Sequence, residues 1–153
     1  MTDRIEREMK SLETSDKVPV KRVQRIDNYN WKIIFEGPES TAYEDGIFTL
    51  KLAFPSDYPI KGPKAYFLTP NMFHPNIRED NTQYVCINIL DDDKWVQTRT
   101  VEDIMLGIIY LMMFPTHVGG FGNSAYNLLK DNKLDEYYDK VEELTYKYAN
   151  KEY

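Results

Sequence analysis

Cys86 is the only cysteine in a chain of 153 residues, and the tripeptide His74-Pro75-Asn76 precedes it. A lone thiol forms no internal disulfide and no thiol-rich zinc site. It is a buried filler, a redox-sensitive bystander or a nucleophile. As a nucleophile it suits acyl transfer, because a thioester stays reactive toward amines and a thiolate is a good leaving group. An imidazole and a carboxamide in the same stretch also admit a Cys-His-Asn hydrolase, with Cys86 partnered by His74 or His117. Lys94 is the one cation read as near Cys86 along the chain, so nothing local argues for a strongly depressed thiol pKa. No metal and no cofactor are expected. Gly119-Gly120-Phe121-Gly122 is too irregular, and too poor in flanking Lys and Ser/Thr, to cradle a phosphate.

The elements that must position these residues are legible from periodicity. Asp3 and Glu6 resemble a capping box opening a helix that runs to about Leu12, with Ile5, Met9 and Leu12 on one face. Residues 20–26 and 30–36 read as strands joined by a tight Asp27-Asn28-Tyr29-Asn30 turn. Phe48, Leu50, Leu52 and Phe54 alternate with Thr49, Lys51 and Ala53, the pattern of a half-buried strand. Residues 64–68 form a fourth, short strand, and sequential strands with short connections predict an antiparallel meander. From Thr69 to Arg99 periodicity fades, which inside a compact domain often marks function. Thr100 and Asp103 then open a nearly all-apolar helix that Pro115 stops, the expected central helix. Leu134, Tyr137, Tyr138, Val141, Leu144, Thr145 and Tyr148 form a stripe on a last helix, read as packing. The fold class is α+β, in a single domain over 1–153.

Composition narrows the partners. The net charge of -6 argues against nucleic acid. No run approaches the roughly 18 apolar residues a membrane span needs. The N-terminus alternates charge and shows no secretory signal. One thiol and no signal favour cytoplasm or nucleus. The first 25 residues hold seven Lys or Arg against five acids, a basic end on an acidic body that suggests a docking surface for acidic protein.

Gly37-Pro38, Tyr43, Gly46, Phe48, Phe54-Pro55, Tyr58-Pro59, Pro63-Lys64, His74-Pro75-Asn76-Ile77, Cys86 and Trp95 fall in the order seen in ubiquitin-conjugating enzymes, and the chain resembles that family over nearly its whole length. The resemblance implies the UBC fold: an N-terminal helix, four-stranded meander, active-site loop, central helix and C-terminal helices. It implies that Cys86 accepts ubiquitin or a related modifier as a thioester from an activating enzyme. A substrate lysine then attacks, usually with a ligase present, and the ATP belongs to the activating enzyme. By the same resemblance Asn76 is an oxyanion donor or loop support. His74 is structural, Pro75 stiffens the turn, and Trp95 and Asn88 sit beside the active-site loop. Arg4 and Arg7 on the first helix, Ile60 and Lys61 between two turns, and Val96 and Gln97 are implied partner contacts on a monomer.

Several positions depart from the family pattern. The Asn76–Cys86 loop is about two residues longer than in common members. Gln83 replaces a glycine, and Asn88 replaces an acid, a choice associated with the neddylation subgroup. Trp95-Val96-Gln97 replaces Trp-Ser-Pro. Thr116-His117-Val118-Gly119-Gly120 replaces a stretch whose acid helps the incoming lysine lose its proton, which leaves His117 as the nearest titratable group and predicts a more mobile gate. A carrier for a ubiquitin-like modifier and a non-catalytic scaffold of the same fold stay open beside the ubiquitin reading.

Overall fold

The computed structural model describes residues 2–153. Its elements are α1 (Thr2–Glu13), β1 (Val20–Arg25), β2 (Asn30–Glu36), β3 (Ile47–Ala53), β4 (Lys64–Phe67), a short 3-10 turn (Asn88–Leu90), α2 (Val101–Met113), α3 (Ser124–Lys130) and α4 (Leu134–Tyr148). The strands form one antiparallel sheet in the order β1-β2-β3-β4, as expected of a meander. Register sets Trp31, Ile33 and Phe35 opposite Leu52, Leu50 and Phe48, and these six side chains are at most 1% exposed. Val101, Ile104, Met105, Ile108 and Met112 of α2 join them in one core. Thr100 caps α2 reciprocally with Asp103, the capping box the sequence predicts.

Three readings are corrected. α1 already begins at Thr2, so Asp3 lies inside it and is not its cap. On α4 only Tyr137, Val141 and Thr145 are buried, while Leu134 and Tyr138 are exposed, so the packing stripe is narrower than the sequence suggests. α3 gives no periodic signal because it is only seven residues long. It starts where Asn123 caps it, its side chain accepting from the Tyr126 N–H.

The sheet's other face is covered as well. Ile34 and Thr49 point away from the main core yet are buried. The C-terminal segment lies against this face: the Ile47 N–H donates to the Ala149 carbonyl at 2.8 Å, and the Tyr153 N–H donates to Thr49 Oγ1 at 3.0 Å. Lys32 Nζ donates to the Tyr153 carbonyl, and Arg22 pairs with Glu152.

A buried carboxylate ties α1 to the rest. Glu8 Oε1 accepts from the Val101 N–H at 2.8 Å, satisfying an otherwise unpaired donor at the start of α2. Its other oxygen accepts from the Tyr58 hydroxyl and from Arg4 Nε. Arg4 also donates to the Arg99 carbonyl at 2.6 Å. Glu8→Ala orphans three donors at once. It should lower the unfolding free energy in urea by about 2–3 kcal/mol, while Tyr58→Phe should cost about 1 kcal/mol. Equal, negligible losses for both would show that the carboxylate is not what joins α1 to α2.

Candidate active site

His74 is 1% exposed, and both ring nitrogens are engaged. Nε2 donates to the Leu111 carbonyl at 2.7 Å, one of the unpaired acceptors in the last turn of α2. Nδ1 accepts from the Asn76 N–H at 2.9 Å. This pattern fits only the neutral ring with its proton on Nε2. Burial, partly opposed by the Leu111 carbonyl, lowers its pKa from 6.5 to about 4. With no free nitrogen, His74 holds the loop and has no lone pair to offer as a base.

The loop it holds is a two-stranded ribbon. Ile77 bridges Val85 antiparallel, the Cys86 N–H donates to the Asn76 carbonyl at 2.8 Å, and the Arg78 N–H donates to the Tyr84 carbonyl at 2.8 Å. The extra length of the loop is taken up at the tip. There Asp80 Oδ1 accepts from Thr82 and Gln83, and the Asn76–Cys86 pairing is kept. Gln83 stands where family members have glycine, and its φ of 47° explains why glycine suits the position. A left-handed residue with a side chain costs roughly 1–2 kcal/mol. Three hydrogen bonds offset it: Gln83 Oε1 accepts from the Met72 N–H at 2.8 Å, and Nε2 donates to the Phe67 and Thr69 carbonyls at 2.9 and 2.7 Å.

Asn76 Nδ2 donates to the Cys86 carbonyl at 3.2 Å, and its Oδ1 is buried with no hydrogen-bond partner among the described residues. The amide therefore supports the cysteine's own backbone. The Cys86 thiol is half-buried. Burial first, and then the Asp91 carboxylate, raise its pKa above the ordinary thiol range, while Arg78 pulls it down. Arg78 is a cation the sequence reading missed. The alternation of the 76–78 strand, which sets Arg78 two residues from Asn76, could have revealed it.

The Gly-rich loop is pinned against this ribbon. The Phe121 N–H donates to the Pro75 carbonyl at 2.9 Å. Asn123, also missed, donates from Nδ2 to the His74 and Ile77 carbonyls at 3.0 and 2.8 Å while capping α3. An Asn-Ser pair after a glycine run is the signal that could have found it. Gly119 (φ 76°) makes the turn that brings the loop back. The mobile gate expected from sequence is thus anchored at its far end. His117 is exposed, with its ring edge-on to Tyr126.

The other site residues divide. Trp95 is buried against the 58–62 turn, where its Nε1 donates to the Pro59 carbonyl at 2.8 Å. A Cβ on Gly62 would meet its ring at 2.7 Å. Trp95 thereby brings the Ile60–Lys61 turn alongside Val96 and Gln97. All four residues are exposed, as is Arg7. Arg4, the other expected partner contact on α1, is only part-exposed and bonds to Glu8 and the Arg99 carbonyl. Asn88 is exposed and contributes its backbone carbonyl to the Asp91 N–H. Among the described residues its side chain makes no hydrogen bond, so it does not brace the loop.

The His74 geometry sets a pH dependence. Below about pH 6.5 the unfolded chain protonates this imidazole, whereas the folded chain resists until about pH 4, so stability is lost as pH falls through that window. Unfolding free energy measured in urea should drop by about 2–3 kcal/mol from pH 7.5 to pH 4.5. A flat profile there would contradict a buried neutral ring. The thiol gives a second check: Asp91→Asn should move the pH profile of Cys86 alkylation by iodoacetamide to lower pH, and an unmoved profile would show that Asp91 does not act on the sulfur.

Comparison with known proteins places the chain. A family model described as ubiquitin-conjugating enzyme matches residues 4–145. The probable ubiquitin-conjugating enzyme E2 31 of Arabidopsis thaliana is 37% identical over 122 residues, covering 80% of this chain and 76% of the relative. The human ubiquitin-conjugating enzyme E2 G2 is 33% identical over 131 residues, covering 78% and 77%. The crystal structure of the H. polymorpha ubiquitin-conjugating enzyme Pex4p, in complex with the soluble domain of Pex22p, superposes with a TM-score of 0.85 at 21% identity, over 96% of this chain and 97% of that one. The α+β architecture is therefore the UBC fold. With the family model spanning α1 through α4, the chain belongs to the ubiquitin-conjugating enzyme family.

Proposed function

We propose that the chain accepts ubiquitin from an activating enzyme as a thioester on Cys86 and passes it to a lysine amine, with a ligase holding both partners. The observation that carries the reading is the state of the one thiol. Cys86 is half-buried on a ribbon whose other strand supplies Asn76 to its backbone at both the N–H and the carbonyl. A buried structural cysteine would not be left at a loop edge, and a hydrolase would need a free base that His74 does not provide.

In the first step the Cys86 thiolate attacks the carbonyl carbon of the incoming thioester. The C–S bond to the activating enzyme breaks, and that enzyme's thiolate leaves. In the second step the lysine nitrogen attacks, a tetrahedral oxyanion forms, and its collapse expels the Cys86 thiolate while the new amide sheds the ammonium proton to solvent. A high thiol pKa suits this carrier. The sulfur is nucleophilic when ionised, yet His74, with both nitrogens engaged, does not drive water onto the thioester. Asn76 Nδ2 carries two hydrogens. One rests on the Cys86 carbonyl, and the other is available to the oxyanion. Arg7, Ile60, Lys61, Val96 and Gln97 form the surface offered to the activating enzyme or the ligase.

With ATP, ubiquitin and an activating enzyme, the protein should gain a band one ubiquitin heavier on a non-reducing gel, and reducing agent should remove it. Cys86→Ser should trap a band that survives reduction, and Cys86→Ala should give none. Charging by Cys86→Ala would sink the assignment. Charging of the unaltered protein only with a ubiquitin-like modifier and its own activating enzyme would replace ubiquitin with that modifier.

A further inference from the structure

The ribbon places a fourth group beside the thiol. Ile77 and Val85 are 3% and 1% exposed and face the core. The two-residue alternation of paired strands therefore puts Asn76 and Arg78, and opposite them Tyr84 and Cys86, on the ribbon face away from Ile77 and Val85. Arg78 is directly across from Tyr84 and diagonal to Cys86, a separation a long side chain spans. Its guanidinium carbon lies 5.5 Å from the Tyr84 ring centre and 5.2 Å from that of Phe121, and the two rings are 6.5 Å apart. Phe121 is itself fixed by its N–H bond to Pro75. Two aromatic faces thus hold a flat cation in place, and among the described residues its edge N–H groups make no hydrogen bond. Its one ion pair among the described residues, Nε to Asp80 at 3.9 Å, is long and half-exposed, and so contributes little.

We propose that Arg78 is a catalytic residue of the acyl transfer, donating a charge-assisted hydrogen bond to the oxyanion formed at the Cys86 thioester. The inference rests on the reading of Cys86 as the thioester carrier. When the amine nitrogen forms its bond to the carbonyl carbon, the C=O π pair moves onto oxygen. When the C–S bond breaks, the charge passes to the sulfur. Both centres lie in an acidic neighbourhood, with Asp91 acting on the thiol and Asp80 and Glu79 on the same ribbon. Tyr84 also packs against Tyr66, over which the Lys51 amine lies. Arg78 acts against the rise in the Cys86 thiol pKa that burial and Asp91 cause. The Asn76 amide is half committed to the Cys86 carbonyl, so a second donor completes the oxyanion's contacts.

The test is single-turnover discharge of the charged protein to free lysine, for the unaltered chain, Arg78→Met and Arg78→Lys, with a thermal melt of each and the pH profile of Cys86 alkylation. Arg78→Met should fold normally and discharge about ten- to a hundredfold more slowly, the worth of one charge-assisted hydrogen bond. Its alkylation profile should move to higher pH, and Arg78→Lys should recover part of both. A folded Arg78→Met that discharges at the unaltered rate, or slow discharge in both variants with an unmoved alkylation profile, overturns the proposal. Alkylation needs no modifier. Failure of the unaltered protein to charge therefore counts against the carrier reading, while an unmoved profile counts against Arg78.

Discussion

The site depends on one neutral imidazole. His74 joins the last turn of α2, through the Leu111 carbonyl, to the backbone N–H of Asn76. Protonating it would place a second N–H against the Asn76 N–H with no acceptor between them. Once Asn76 is fixed, its carbonyl fixes the Cys86 N–H, its side chain fixes the Cys86 carbonyl, and the ribbon's face away from Ile77 and Val85 follows from strand alternation. Asn123 closes the arrangement by holding the two carbonyls on either side of this turn. The central helix thus positions the thiol through its own unpaired C-terminal acceptor, without touching the sulfur.

The electrostatics around the sulfur divide the work. Burial and Asp91 keep it protonated at rest, and the aromatic-held Arg78 opposes them. A thiol balanced this way is not primed to react with whatever arrives. On the proposed reading it waits for a partner that brings an activated acyl group, which would separate a carrier from a hydrolase.

Much of this was legible in the sequence. The four strands, α1, the capping box of α2 and the last helix follow from period and turn chemistry, because each buries one face and shows the other. Cys86 and the His74-Pro75-Asn76 turn stood out by residue type. What was not legible arises from contacts distant in sequence. Arg4 was named only as an implied partner contact, and its bond to the Arg99 carbonyl could not be foreseen across 95 residues. The bond from Trp95 to the Pro59 carbonyl was not foreseen because its acceptor lies 36 residues back. Gln83 looked like a departure from a glycine, and only the fold shows three hydrogen bonds holding its side chain. α3 was missed because seven residues make too few turns for a pattern.

The sheet's edges carry a consequence for life at high concentration. β4 is covered on its open side: the Val85 and Phe67 N–H groups bond to the Ala65 and Gln83 carbonyls, pairing it with the Cys86 ribbon. β1 has no neighbour beyond β2 on its other side. A bare strand edge invites pairing with another molecule and is a common start of aggregation. Here the edge strand carries Lys21, Arg22 and Arg25, and its register slips between Val20 and Arg22. Cationic side chains and an irregular ladder are two devices that make such an edge a poor template. The positive charge of the first 25 residues therefore also helps keep the protein from growing sheets with its own copies.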